Sequence, residues 1–255
     1  MFPIYVSLCA WRSELYATVG EFDEALASAT EALRMATEIR HFSSLALANA
    51  YLGYVRLLRG DVEGGLPSLE RGLAIGQEHD LVHGIISSSL YLGYGLLLLG
   101  QRERGLECVA RALQRSVGAF MPQWTRYGTM TAGAYLAGGR LADARAEIAQ
   151  GLALVTERNA RGYRAPLLRL QAEALTREDR ADLEGARQCL EEGLALAADL
   201  GMRPEVAHSH AGLARLYRWT GDRAKAQSHL AAATARFRAL GMVFWATRAE
   251  GDREA

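Results

Sequence analysis

The residues best suited to chemistry are histidines near the C-terminal end of the chain. His208 and His210 lie two positions apart, with His229 further along and Cys189 before them. Two helical residues with this spacing point in different directions, so the imidazoles do not form a ready set of metal ligands. We therefore expect satisfied or solvent-facing histidines and no bound metal ion.

Motifs for other kinds of catalysis are missing from the sequence. It contains no GxxxxGK[ST] loop for phosphates, no HExxH, no GxSxG and no paired CxxC. The acidic pairs Asp23-Glu24 and Glu191-Glu192 fall on amphipathic patterns and are typical of solvated helix faces. The sequence therefore predicts a protein that is not an enzyme and has no cofactor.

Internal repetition indicates which elements hold these side chains. Tyr51-Leu-Gly-Tyr54 recurs as Tyr91-Leu-Gly-Tyr94, a displacement of 40 residues. Glycines recur between the apolar patterns, and each is followed by a polar or acidic start to a second apolar pattern. These glycines are Gly20, Gly60, Gly100, Gly139 and Gly221. The pattern predicts six helix–turn–helix units of about 40 residues each.

Alignment of the six units shows three columns that contain only Gly, Ala or Ser. The column in the first helices is Ser13, Gly53, Gly93, Ala132, Ala172 and Ala214, and one column in the second helices is Ala25, Gly65, Gly105, Ala144, Ala186 and Ala226. The third column follows seven residues later and is Ala32, Gly72, Ala112, Gly151, Gly193 and Ala233. Small residues at such positions let two helix axes approach closely.

We predict an all-α fold, a right-handed α–α superhelix (solenoid) of six tandem units in a single domain over residues 1–255. The predicted units are 1–42, 43–82, 83–121, 122–161, 162–202 and 203–242, and residues 243–255 form a C-terminal half-cap or tail.

These residues resemble the tetratricopeptide repeat (TPR) family. Leu52-Gly53, Leu92-Gly93 and Leu213-Ala214 with Tyr217 match its first helix, and Ala226 with Leu230 matches its second. No unit has the early Trp or the closing proline, and the period is near 40 where the family has 34. The run 167–242 is also similar to the C-terminal repeat regions of large bacterial signalling ATPase, nucleotide cyclase or transcriptional regulator proteins, which implies a regulatory role.

The first helices of such repeats line a concave groove, which is the usual binding surface. The residues predicted to face this groove are Tyr54, Tyr94, Leu90, Arg126, Arg169, Glu173, His208 and Arg215. The groove is thus expected to be apolar and aromatic in its N-terminal half and cationic in its C-terminal half, which suits a peptide with an apolar patch followed by acidic residues. The open alternative is that Tyr54 and Tyr94 simply pack between neighbouring units.

Composition limits the kinds of partner. The formal net charge is zero, with 29 basic and 29 acidic residues, so no basic field for nucleic acid is expected. Three widely separated cysteines favour a reducing cytoplasm. Residues 81–101 contain no charged Asp, Glu, Lys or Arg, but their serines, glycines and repeat register predict a buried helix and no membrane span.

The favoured function is a non-catalytic scaffold that binds a protein or peptide in its groove, as part of a bacterial signalling or transcriptional regulator. Its partners would include other domains of a larger signalling protein. The apolar start, with Ile4, Tyr5 and Val6, predicts that the N-terminal face is covered by another chain or domain. Two alternatives stay open: a sensor of small molecules, and an enzyme built on helical hairpins.

Overall fold

The computed structural model describes residues 3–117, 124–178 and 181–251, and within them the chain forms thirteen α-helices and no strand. The helices are α1 Ile4–Val19, α2 Phe22–Glu38, α3 Phe42–Arg59, α4 Val62–Glu78, α5 Val82–Leu98, α6 Arg102–Ser116, α7 Trp124–Ala137, α8 Leu141–Glu157, α9 Arg161–Thr176, α10 Leu183–Asp199, α11 Arg203–Trp219, α12 Arg223–Ala239 and α13 Val243–Gly251. The predicted all-α fold is confirmed.

The turns between helices depend on residues that the sequence pattern singled out. Gly60 ends α3 with φ at 95° and Gly221 follows α11 with φ at 80°, in the left-handed region that glycine enters at no steric cost. Asp61 and Asp222 then cap the next helices, because their carboxylates accept hydrogen bonds from the backbone N–H groups of Gly64 and Lys225, each at 3.1 Å. Each turn thereby ends one helix and begins the next.

The chain divides into two compact units. The N-terminal unit comprises Met1–Ala17 and Glu21–Gly138, and the C-terminal unit comprises Thr18–Gly20 and Gly139–Ala255. The interpretation as one solenoid of six units stays a prediction. The predicted junction between residues 121 and 122, and residues 252–255 of the predicted tail, lie outside the described residues.

The segment 81–101, which has no Asp, Glu, Lys or Arg, contains α5, and this helix is buried continuously from Gly84 to Gly93. Neighbouring helices surround it inside the N-terminal unit, which explains why no charged side chain occurs there. None of the helices described is long and apolar enough to cross a membrane.

Small-residue columns mark the places where paired helices touch through their backbones. A Cβ added at Gly93 of α5 would lie 2.8 Å from the Gly105 carbonyl oxygen of α6 and 2.9 Å from Val109 Cγ2. A Cβ added at Gly53 of α3 would lie 2.9 Å from the Gly65 carbonyl oxygen of α4. Neither backbone oxygen can move away without shifting its helix, so glycine is required at both crossings.

We expect Gly93→Ala to lower the free energy of unfolding by about 1–3 kcal/mol, because overpacking at the crossing outweighs the better helix propensity of alanine. Gly162 of α9 is the matched control, since an added Cβ there meets no atom within 4 Å. Gly162→Ala should instead stabilise by about 0.5 kcal/mol through helix propensity. Urea unfolding followed by circular dichroism measures both, and equal effects from the two substitutions would contradict the close-approach explanation.

Candidate functional sites on the first helices

Arg126 forms a buried polar centre in the N-terminal unit. It lies on α7, and its Nη1 donates to Glu14 Oε2 of α1 at 2.6 Å and to the Tyr51 hydroxyl of α3. The side chains of Arg126 and Glu14 are only 6% and 12% exposed, so this ion pair is removed from solvent. The guanidinium of Arg126 therefore joins its own helix, α7, to α1 and α3.

Tyrosine rings surround this ion pair. The Arg126 guanidinium carbon lies 5.2 Å from the centre of the Tyr51 ring and 4.8 Å from that of Tyr127, within the range of cation–π attraction. Tyr91 of α5 packs next to Tyr127, with ring centres 6.3 Å apart. Burial raises the pKa of Tyr51 and of Tyr91, so both hydroxyls stay protonated. Within the part of the chain described, the Tyr91 hydroxyl and Arg126 Nε have no hydrogen-bond partner.

The predicted groove residues of the N-terminal unit are largely packed inside it. Tyr54 is 8% exposed and stacks on Tyr91, with ring centres 4.3 Å apart and 15° between the planes. Leu90 is 1% exposed, and Tyr94 is half-buried. Tyr54 of α3 thus packs against α5, as expected if these tyrosines fill the space between neighbouring units and do not line a groove.

The C-terminal unit holds a second cluster on its own alternate helices. Arg169 of α9 donates from Nε to Glu205 Oε1 of α11 at 2.6 Å. His208 of α11 lies between two aromatic rings, with ring-centre distances of 4.9 Å to Phe237 and 4.8 Å to Trp245, both edge to face. The two aromatic rings thus fix the orientation of the imidazole.

Arginines dominate the electrostatics of this second cluster. Burial lowers the pKa of His208 well below its ordinary value, and the positive charges of Arg169, Arg215 and Arg248 lower it further. These arginines lie on α9, α11 and α13. We call His208, Arg169, Arg215 and Arg248 the arginine site. Glu173, also predicted to face the groove, pairs with Arg177 of its own helix.

The other two C-terminal histidines meet one another. His210 Nδ1 lies 2.9 Å from His229 Nδ1, and the His229 ring stacks on Tyr217. One of the two nitrogens must carry the proton and the other must accept it, so at least one imidazole is neutral. Among the described residues, no three His, Cys, Asp or Glu side chains are placed to hold a metal ion.

Sequence reasoning did not single out Tyr51, Tyr91 and Tyr127 as partners of Arg126, or Arg248 as a neighbour of His208. A signal for the first two was present, because they are the opening tyrosines of the repeated Tyr-Leu-Gly-Tyr segments. No local pattern marks the Arg126–Glu14 pair, since its members lie 112 residues apart in the chain.

Comparison with known proteins identifies the fold class. No protein-family model matches the chain, and no curated protein sequence matches it either. The apo form of RapI is similar in structure, with a TM-score of 0.66 and 14% identity over 98% of this chain and 84% of RapI. BtubC (BKLC) from P. vanneervenii is similar with a TM-score of 0.56 and 16% identity, over 87% of this chain and 90% of BtubC. The chain therefore has a TPR-like helical repeat fold.

Proposed function

We propose that this chain is a non-catalytic protein-interaction module that recognises an acidic segment of a partner protein through the arginine site. The proposal rests on the positive charges of Arg169, Arg215 and Arg248, which all act on His208, and on the Arg169–Glu205 pair, in which a guanidinium of the site already binds a carboxylate. Arginine presents a planar, permanently charged fork that binds carboxylates in two-point contacts, and its hydration is weaker than that of lysine. A cluster of arginines on the first helices is thus suited to aspartate and glutamate side chains of a peptide.

The setting of the site favours a peptide over a single ion. Trp245, which is partly exposed and packs on His208, provides apolar surface at the site, and aromatic residues with arginine are the usual anchors of protein interfaces. A bound segment would place acidic side chains on the guanidinium groups and an apolar side chain near the indole. We further propose that the module works in the cytoplasm within a bacterial signalling or transcriptional regulator, which the resemblance of residues 167–242 to such repeat regions supports.

A displayed peptide library selected on the immobilised chain tests this function. We expect the selected peptides to be rich in Asp and Glu, and their affinity to fall with added salt because charge pairs are screened. Arg215→Glu should weaken the selected peptides at least about tenfold, since a repulsive charge replaces an attractive one. Anisotropy of a labelled peptide measures the change.

Arg187→Glu is the matched control. Arg187 lies on α10 and pairs with Glu184 and Glu191 of the same helix, away from the first helices. This control should leave the affinity within about twofold, because exposed ion pairs contribute little. Selected peptides without acidic residues, or equal losses from the two variants, would contradict the proposal.

The polar centre around Arg126 favours a second candidate function, the sensing of a small molecule. Two buried donors, the Tyr91 hydroxyl and Arg126 Nε, lack partners among the described residues and would suit a small anionic or carbonyl-bearing ligand. If the peptide library yields no binder, this function becomes the better explanation. A rise in melting temperature with a metabolite library then measures it, because a ligand of the folded state stabilises by mass action.

A further inference from the structure

One face of α1 presents large apolar side chains to solvent. They are Ile4, Tyr5, Leu8, Trp11 and Leu15, with exposed fractions of 74, 52, 53, 45 and 68%. Four of them follow the spacing i, i+4, i+7, i+11, which places them in one line along the helix. We call these five residues the α1 stripe.

The stripe is nearly free of charge. Within α1 only Arg12 and Glu14 are charged, and Glu14 is already joined to Arg126. Arg12 donates from Nε to Ser28 Oγ of α2 at 3.1 Å, so its guanidinium is drawn away from the stripe. The opposite face of α1, with Val6, Cys9 and Ala10, is buried against α2 and α3. A helix that is apolar on both faces is typical of one covered on both faces.

No other described helix presents such a row of exposed apolar side chains; α13 comes nearest, with Val243 exposed and Phe244 and Trp245 partly exposed. Exposed large apolar residues elsewhere are scattered, and no other described helix carries more than one of them; they are Ile39, Phe42, Val117, Trp219 and Val243. The exposed side of α12 is instead made of Arg, Lys, Gln, Ser and Ala. Among the described helices α1 carries the most exposed large apolar residues, so a second copy of the chain matches the stripe best with its own stripe, which produces a closed two-fold contact.

The area of the stripe is sufficient for such a contact. Each of the five side chains exposes roughly 100 Å², so two copies would bury on the order of 1,000 Å² from these side chains alone. That area is about the lower limit for a specific protein–protein interface. Flanking residues of α1 would add to it.

We propose that the chain forms a homodimer in which the α1 stripes of two copies pack antiparallel across a two-fold axis. Leu8 and Trp11 lie near the axis, and Ile4 of one copy lies opposite Leu15 of the other. The interface uses the α1 face that points away from the polar centre of Arg126, and it is independent of the acidic-peptide function.

Sedimentation equilibrium of the full chain between about 0.1 and 100 µM tests the dimer. We expect the wild type to reach twice its monomer mass of 27.8 kDa within this range. Leu8→Glu/Leu15→Glu should raise the dissociation constant about a hundredfold or more, because it places unpaired carboxylates in the contact. Trp219→Glu, at a comparably exposed apolar site on α11, is the matched control and should leave the dimer intact.

Circular dichroism first verifies that each variant is folded. If the double variant is not folded, Ile4→Glu replaces it, since Ile4 is 74% exposed and an acidic residue in the first turn favours the helix. A wild type that stays monomeric at 100 µM overturns the proposal. A dimer that the stripe variants leave unchanged, or an assembly that grows beyond two copies, overturns it as well.

Discussion

Arg126→Met should lower the free energy of unfolding by about 3–5 kcal/mol, the largest effect that we expect from a single substitution in this chain. Methionine fills much of the volume of arginine but leaves the Glu14 carboxylate, 12% exposed, facing tyrosine rings without its ion-pair partner. The Tyr51 hydroxyl also loses its donor. In a chain of this size the loss corresponds to a fall in melting temperature of about 10 °C.

A double-mutant cycle separates the ion pair from simple packing. Arg126→Met/Glu14→Leu removes both charges, and an apolar pair of similar volume is often as stable as a buried ion pair. We therefore expect the double variant to recover most of the loss, to within about 2 kcal/mol of the wild type. Urea unfolding measured by circular dichroism gives all four free energies. A single variant within about 1 kcal/mol of the wild type, or a double variant less stable than Arg126→Met, would be at odds with a coupled buried pair.

The same pair bears on the function of the N-terminal unit. As long as Glu14 is bound to Arg126, the guanidinium is directed at α1 and Tyr54 is stacked on Tyr91. A ligand carboxylate at this centre would have to replace Glu14 on Arg126. In the arginine site Arg169 is likewise bound to Glu205, so a peptide carboxylate would have to share or replace that partner. We place acidic-peptide recognition there because Arg215 and Arg248 add further positive charge around His208.

The repeat spacing predicts the helices well because it reflects contacts between neighbours in sequence. Gly53 and Gly93 mark helix crossings, and the glycine turns occur where the pattern puts them. Each of these features is set within one unit, so forty residues contain the necessary information.

The site geometry was harder to predict because it depends on pairing between distant residues. Arg126 and His208 were both expected to face a groove, but their burial depends on Glu14, Tyr51, Phe237 and Trp245. The helical period predicts the face of the helix on which a side chain lies. It does not predict which side chain of another helix will contact it. The period therefore left open whether Tyr54 faces the groove or packs between units, and the structure places its ring on Tyr91.

The histidines of the C-terminal unit should make the protein lose stability between pH 7 and pH 5. Burial lowers the pKa of His208, of His229 and of His210, the last to about 4. Histidine in the unfolded chain titrates near pH 6.5, so below that pH the unfolded state binds more protons than the folded state. The contribution of these neutral histidines to stability is therefore fully present above about pH 7, and it is lost as the pH drops toward the folded-state pKa values.

We expect a total loss of about 3 kcal/mol between pH 7 and pH 5, after discounting the partly exposed members of the group. His210→Gln/His229→Gln keeps the possibility of a side-chain hydrogen bond and removes two of the titrating groups, so it should reduce the loss by about half. Urea midpoints at pH 7 and pH 5, for both proteins, measure the difference. Carboxylates with lowered pKa values, such as Glu184 at about 2, titrate below this window and do not obscure it. If the variant loses as much stability as the wild type, the acid sensitivity does not come from His210 and His229.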